Sequence, residues 1–96
     1  MKLDHLRYFD RLADVLSYTN AAKSLYIAQP TLSAAIKRME QEVGLTLFRR
    51  AEGVASGVEL TEQGRIFHEY VVQALECYDT GLSLALESQN ESDSLL

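Results

Sequence analysis

"AAKSLYIAQPTLSAAIKRMEQEVG", residues 21–44, decides the fold of this 96-residue chain. It begins as a short helix, about 19–26, with Ala22 and Leu25 facing inward. The pattern falters around Ile27–Gln29 and restarts at Pro30. A proline suits the first turn of a helix, where its missing N–H has no partner to lose. It also biases the preceding residue, Gln29, away from the helical region, which places the break just before it. Beyond Pro30, Leu32, Ile36, Met39 and Val43 recur at helical spacing as a buried stripe, and Gly44 stands where a left-handed cap is expected. Thr31, Ser33, Ala34, Lys37, Arg38 and Gln41 are left on the outside.

Working outward, residues 4–16 read as an amphipathic helix. Leu3, Leu6, Phe9, Leu12 (or Ala13) and Leu16 are spaced by three and four, with charges between them. "SYTN" follows, and Ser17 or Thr19 is positioned to cap the next helix. "LTLFRR" (45–50) alternates like a strand, "AEGVASG" reads as a loop, and "VEL" (58–60) as the return strand of a hairpin. "TEQG" opens a long helix from 62 to about 87, near 40 Å at 1.5 Å per residue. The tail 89–96 is polar and serine-rich, which predicts fraying or a linker.

Composition sets the bounds. Apolar residues make up 47%, enough for one domain with a modest core. A single cysteine, Cys77, precludes an internal disulfide and fits a reducing cytoplasm. No apolar run approaches the ~20 residues of a membrane helix. The net charge of −5 disfavours nucleic-acid binding until its distribution is considered. Residues 1–65 carry all nine Lys and Arg and sum to +1, whereas 66–96 sum to −6. A local basic face remains compatible with phosphate, because screening makes nearby charge matter most.

Two short helices joined by a tight turn, the second with one buried and one polar face, describe a helix-turn-helix, with the hairpin as a wing. In such a unit the second helix enters the major groove, N-terminal residues first. Gln29 has the donor–acceptor pair that matches adenine, Thr31 and Ser33 suit base or phosphate, and Lys37 and Arg38 suit the backbone. The fold class expected is therefore mainly α: three helices plus a two-stranded wing over residues 1–60, then a linker helix over 61–88. A stripe of Val71, Leu75, Tyr78, Leu82 and Ala85 (or Leu86) on that helix exceeds what a three-helix core of about 60 residues can cover. Ala74, Gly81 and Ala85 permit close approach there, and an antiparallel second copy is the expected partner.

The residues "LRYFDRLADVLSYTNAAKSLYIAQPTLSAAIKRMEQEVGLTLFRR" (6–50) and "LTEQG" (60–64) resemble the N-terminal domain of LysR-type transcriptional regulators. The specific parts are "AA.SL", then "QP.LS..I...E...G..LF.R", then "LT..G". The resemblance implies a winged helix-turn-helix, a pairing linker helix, and sequence-specific binding of double-stranded promoter or operator DNA. It implies no cofactor. It places the reading strip on Gln29, Pro30, Thr31, Ser33, Ala34 and Lys37, with Arg38 nearer phosphate, Thr19 and Asn20 by the backbone, and Arg50 as the arginine after "LF". An effector ligand is implied only where a larger C-terminal domain follows, so the chain is expected to be an excised domain or a natural short form. Three departures stand out. Ala28 and Ala34 replace residues that are usually Ser or Thr, and frequently Arg. The wing 51–59 has no Lys or Arg but does have Glu52 and Glu59.

Plainer readings stand beside these. Lys37 and Arg38 could be a solvated helix face, Gln29 a cap, and Ser33 a partner within its own helix. Arg49 and Arg50 alternate, so one should face DNA, with Arg50 favoured, and the other pair with an acid. His5 and His68 lack partners at metal-ligand spacing, and the five tyrosines read as core or interface residues. No catalytic constellation can be assembled. The competing function is a pairing module that dimerises and binds DNA weakly.

Overall fold

The structure, a computed structural model, describes residues 1–55 and 57–94, the side chains of 92–94 excepted. Ser56 of the expected loop and Leu95 and Leu96 of the expected tail lie outside them. The order is α1 (Leu3–Val15), α2 (Tyr18–Leu25), α3 (Gln29–Val43), β1 (Phe48–Arg50), β2 (Val58–Leu60) and α4 (Glu62–Ser94).

Each boundary has a local cause. α1 stops at Leu16, which turns left-handed (φ 59) and donates its N–H to Leu12 O. Ser17, rather than Thr19, caps α2: its Oγ accepts from the Asn20 N–H at 3.2 Å. α2 stops at Tyr26, also left-handed, while the Ile27 N–H reaches back to Ala22 O at 3.1 Å. That six-to-one bond is the signature of a Schellman ending. Ala28 is then extended, and α3 starts at Gln29, with Pro30 in its first turn. The left-handed Tyr26 and the extended Ala28 thus make the break, and Gln29 is helical where the proline rule had placed it outside. Gly44 closes α3 at φ 71.

The hairpin is shorter than the alternation predicted. Only Phe48–Arg50 pairs, antiparallel to Val58–Leu60, in the register Phe48–Leu60, Arg49–Glu59, Arg50–Val58. Residues 45–47 do not join the ladder: β2 ends at Leu60 and gives way to α4 at Glu62, and the Glu40 carboxylate takes the Leu47 N–H at 2.7 Å and the Phe48 N–H at 3.3 Å, while Leu47 O accepts from the Thr61 N–H at 3.0 Å. The hairpin also docks on the α1–α2 joint, where the Val58 N–H donates to Leu16 O at 3.1 Å.

Phe9, Leu12, Leu32, Ile36, Met39 and Leu47 form the fully buried centre. Each such side chain contributes about 1.5–3 kcal/mol by leaving water. Thr61 opens α4 by accepting the Gly64 N–H at 2.9 Å and donating to Thr46 O at 2.6 Å. A Cβ at Gly64 would collide with the Leu47 carbonyl, so this helix approaches the α3–β1 connection closely only with glycine there. α1 then lies across α4: Phe9 meets Phe67 at 5.4 Å, Asp10 meets His68 at 2.8 Å, and Arg7 meets Asp79 at 2.8 Å. α4 runs on to Ser94, past the end expected at 88. Its last residues contain no proline or glycine, and serine and asparagine alone weaken a helix without stopping it.

Candidate nucleic-acid interface

α3 is pinned by one edge and open on the other. Leu32, Ala35, Ile36 and Met39 are buried, while Gln29, Pro30, Thr31, Ala34, Lys37 and Arg38 are exposed and Ser33 is half-buried. The side chains of the open strip fall on two sides. Gln29, Ser33 and Lys37, one turn apart, line a cleft of about 570 Å³ between α3 and the hairpin. Pro30, Thr31, Ala34 and Arg38 line the opposite cleft, toward the start of α1.

The polar groups of the strip are mostly uncommitted. Gln29 Nε2 donates to Ser33 Oγ at 3.1 Å. Arg38 lies 3.9 Å from Glu42 and is 73% exposed, so that pair contributes little. Glu42 is held below the usual carboxylate range, first by the amino group of Met1 at 3.1 Å and then by Arg38. On the hairpin, Arg49 Nε is bonded to Glu59 Oε1 at 2.7 Å. Arg50 turns the other way, into the cleft with Gln29, Ser33 and Lys37. Thr19 and Asn20 are exposed at the start of α2.

Sequence reasoning missed two residues of this region. Tyr18, read as core or interface, lines the cleft beside Lys37 and Arg50. Glu40 joins α3 to the hairpin through two backbone N–H groups. Both depend on the hairpin folding back over α2 and α3, and no local spacing encodes that.

On α4 the expected pairing stripe needs correcting. Val71 and Leu75 are 4% and 5% exposed and belong to the core cluster, on the helix that α1 packs against. They are closed to a partner. Ala74, Tyr78, Leu82, Ala85 and Leu86 remain exposed. A second apolar line, of which the sequence reading singled out only Ala74 and Gly81, runs through Ile66, Tyr70, Ala74, Cys77, Gly81 and Leu84 at steps of three and four, all exposed.

The profile of the family described as "Bacterial regulatory helix-turn-helix protein, lysR family" matches residues 3–65. The HTH-type transcriptional regulator BudR of Klebsiella aerogenes is 48% identical over 85 residues, covering 88% of this chain and 57% of BudR. AlsR of Bacillus subtilis is 40% identical over 96 residues, covering all of this chain and 31% of AlsR. The chain therefore spans little more than half of one relative and under a third of the other. Among solved structures, the BenM DBD in complex with benA site 1 DNA superposes with a TM-score of 0.81 at 38% identity, covering 88% of this chain and 95% of that one. The CbnR DBD–DNA complex gives 0.83 at 27% identity, with 92% and 98% covered.

Proposed function

The chain belongs to the lysR family of bacterial regulatory helix-turn-helix proteins, and we propose that it is the sequence-specific, duplex-DNA-binding part of a transcription regulator. The observation that carries this reading is the state of α3. Its apolar edge is anchored by Leu32, Ile36 and Met39, and Gln29, Thr31 and Lys37 stand in solvent on the other side, next to a hairpin that adds Arg50. Gln29 and Thr31 read base edges, while Ser33, Lys37, Arg38 and Arg50, with Thr19 and Asn20, meet the backbone. Relatives solved on DNA with the same fold support the assignment.

Residues 1–60 serve as the DNA-binding head, and α4 serves as the pairing element of a homodimer. With Val71 and Leu75 occupied, the partner helix is expected on the exposed line Ile66–Leu84, on Tyr78, whose ring Arg7 of α1 overlies at 6.0 Å, and on Leu82 and Leu86. The site of action is the bacterial cytoplasm, where the duplex is. No helix among the described residues is long and apolar enough to cross a membrane. We assign the chain no catalytic step and no cofactor, and an effector ligand only where the protein continues into a further domain.

Selection from a random duplex library by the 96-residue chain tests the proposal. An enriched motif that binds at least about a thousandfold more tightly than random duplex of equal length is expected. Equal affinity for both would overturn sequence-specific reading. It would favour the second reading, a pairing module with weak DNA binding, which the acidic Glu52 of the hairpin supports.

A further inference from the structure

The cleft between α3 and the hairpin gathers three side-chain donors, of Tyr18, Lys37 and Arg50, that face it together. Tyr18 sits half-buried on the core side of it, its ring packed against the hydrophobic cluster. Among the described residues its hydroxyl has no hydrogen-bond partner. A partly buried tyrosine usually finds one. Lys37 and Arg50, on the other walls, have no ion-pair partner among the described residues either. The obvious competitor for Arg50 is removed, because Glu59 is held by Arg49 at 2.7 Å. Glu40 also lines the cleft, but its Oε2 is occupied by the Leu47 and Phe48 N–H groups. The walls thus carry two free cations against one committed carboxylate.

We propose that this cleft seats one backbone phosphate of duplex DNA, and that the Tyr18 hydroxyl donates to that phosphate alongside Lys37 and Arg50. The inference rests on the DNA-binding reading above and adds a contact to it. The geometry of a duplex supplies the rest. The major and minor grooves are separated by a sugar-phosphate strand. A body that lays α3 in one groove and brings its hairpin to the next must straddle that strand, and the space between helix and hairpin is this cleft. Burial, and secondarily the charge of Glu40, push the Tyr18 phenol above its ordinary pKa, so it keeps its proton, and remains a donor, throughout the neutral range.

A neutral hydroxyl on a phosphate has a signature that distinguishes it from both a cation and a base reader. It releases no counterion, and it ignores sequence. Tyr18→Phe, with folding checked by thermal unfolding, is compared with the parent chain and with Lys37→Ala on the selected and a random duplex across a salt series. Tyr18→Phe is expected to bind both duplexes about three- to tenfold more weakly, the worth of one hydrogen bond, with an unchanged salt slope. Lys37→Ala should flatten the slope by about one. Parent-like binding by Tyr18→Phe, with the parent and Lys37→Ala behaving as stated, would overturn the Tyr18 contact and leave the DNA reading standing. A loss confined to the selected duplex would overturn the phosphate assignment in favour of base reading. Failure of the parent chain to bind any duplex would remove the DNA-binding reading and this contact with it.

Discussion

Leu16 and Tyr26, neither of them glycine, close the first two helices in the left-handed conformation, both at φ 59. Such a conformation costs an L residue roughly 1–2 kcal/mol. At Leu16 the strain is tied to a contact, since its carbonyl holds the Val58 N–H and so the hairpin. At Tyr26 the side chain is 95% exposed and gives nothing back. Tyr26→Asn, which tolerates the same backbone, is therefore expected to stabilise the fold by about 0.5–1 kcal/mol. Thermal unfolding should show the midpoint rising by a few degrees, and a fall would show that the ring contributes something the contacts do not reveal. Gln29 shows a different economy. Its bond to Ser33 uses one of the two amide hydrogens, leaving one N–H and the carbonyl free, which is the pair adenine requires. The Ser33 contact orients the side chain without spending its reading groups. The sequence left open whether Gln29 caps its helix or reads a base, and whether Ser33 bonds within its helix or to DNA. The structure allows both at once.

At the scale of elements, periodicity revealed most of what it could. Of the expected stripe Leu32–Ile36–Met39–Val43 of α3, the first three are buried and Val43, at the last turn, is half-buried, while the helix stop at Gly44 falls where the spacing put it. What stayed hidden depends on contacts between elements. The alternation at 45–50 looks like a strand, yet the facing chain turns into α4 at Glu62, and Glu40, seven residues before Leu47, takes the Leu47 N–H. Gly64 looks like part of a helix start, but its reason is the Leu47 carbonyl packed against it. The apolar pattern of α4 assigns Val71 and Leu75 to a partner helix together with the rest of the stripe, because spacing alone does not say which neighbour covers which part. Val71 and Leu75 join the core, and the rest stays open. Two substitutions separate these roles. Leu75→Asp places a charge in the core and is expected to cost more than ~3 kcal/mol, enough to unfold much of the protein. Leu84→Asp lies on the exposed line and should leave the helical circular dichroism intact while shifting sedimentation from dimer to monomer. A folded Leu75→Asp dimer, or an unchanged dimer for Leu84→Asp, would contradict this division of α4.

Across the whole molecule, charge is sorted along the long axis of a 61 × 25 × 19 Å body. The head carries every Lys and Arg but Arg65, which lies in the first turn of α4, and residues 66–96 carry six acids and no Lys or Arg. An excess of acid along α4 beyond Arg65 leaves the head end of the molecule as the part attractive to phosphate. Within the head, however, the hairpin spends Arg49 on Glu59 and adds Glu52. Three cations per copy, Lys37, Arg38 and Arg50, stand toward DNA. A pair of copies should then show a log–log salt slope of roughly −5, at about 0.9 per phosphate neutralised. A slope steeper than about −8 would mean that cations outside this face take part. Sequence-specific binding depends on α3 reading bases with Gln29, and the most direct test is the affinity of Gln29→Ala for the selected duplex and for random duplex of the same length. It should lose ~1–3 kcal/mol on the selected duplex, with preference relaxed at one base pair, and almost nothing on random DNA. An equal loss on both, or none on either, would contradict the claim that this helix reads sequence.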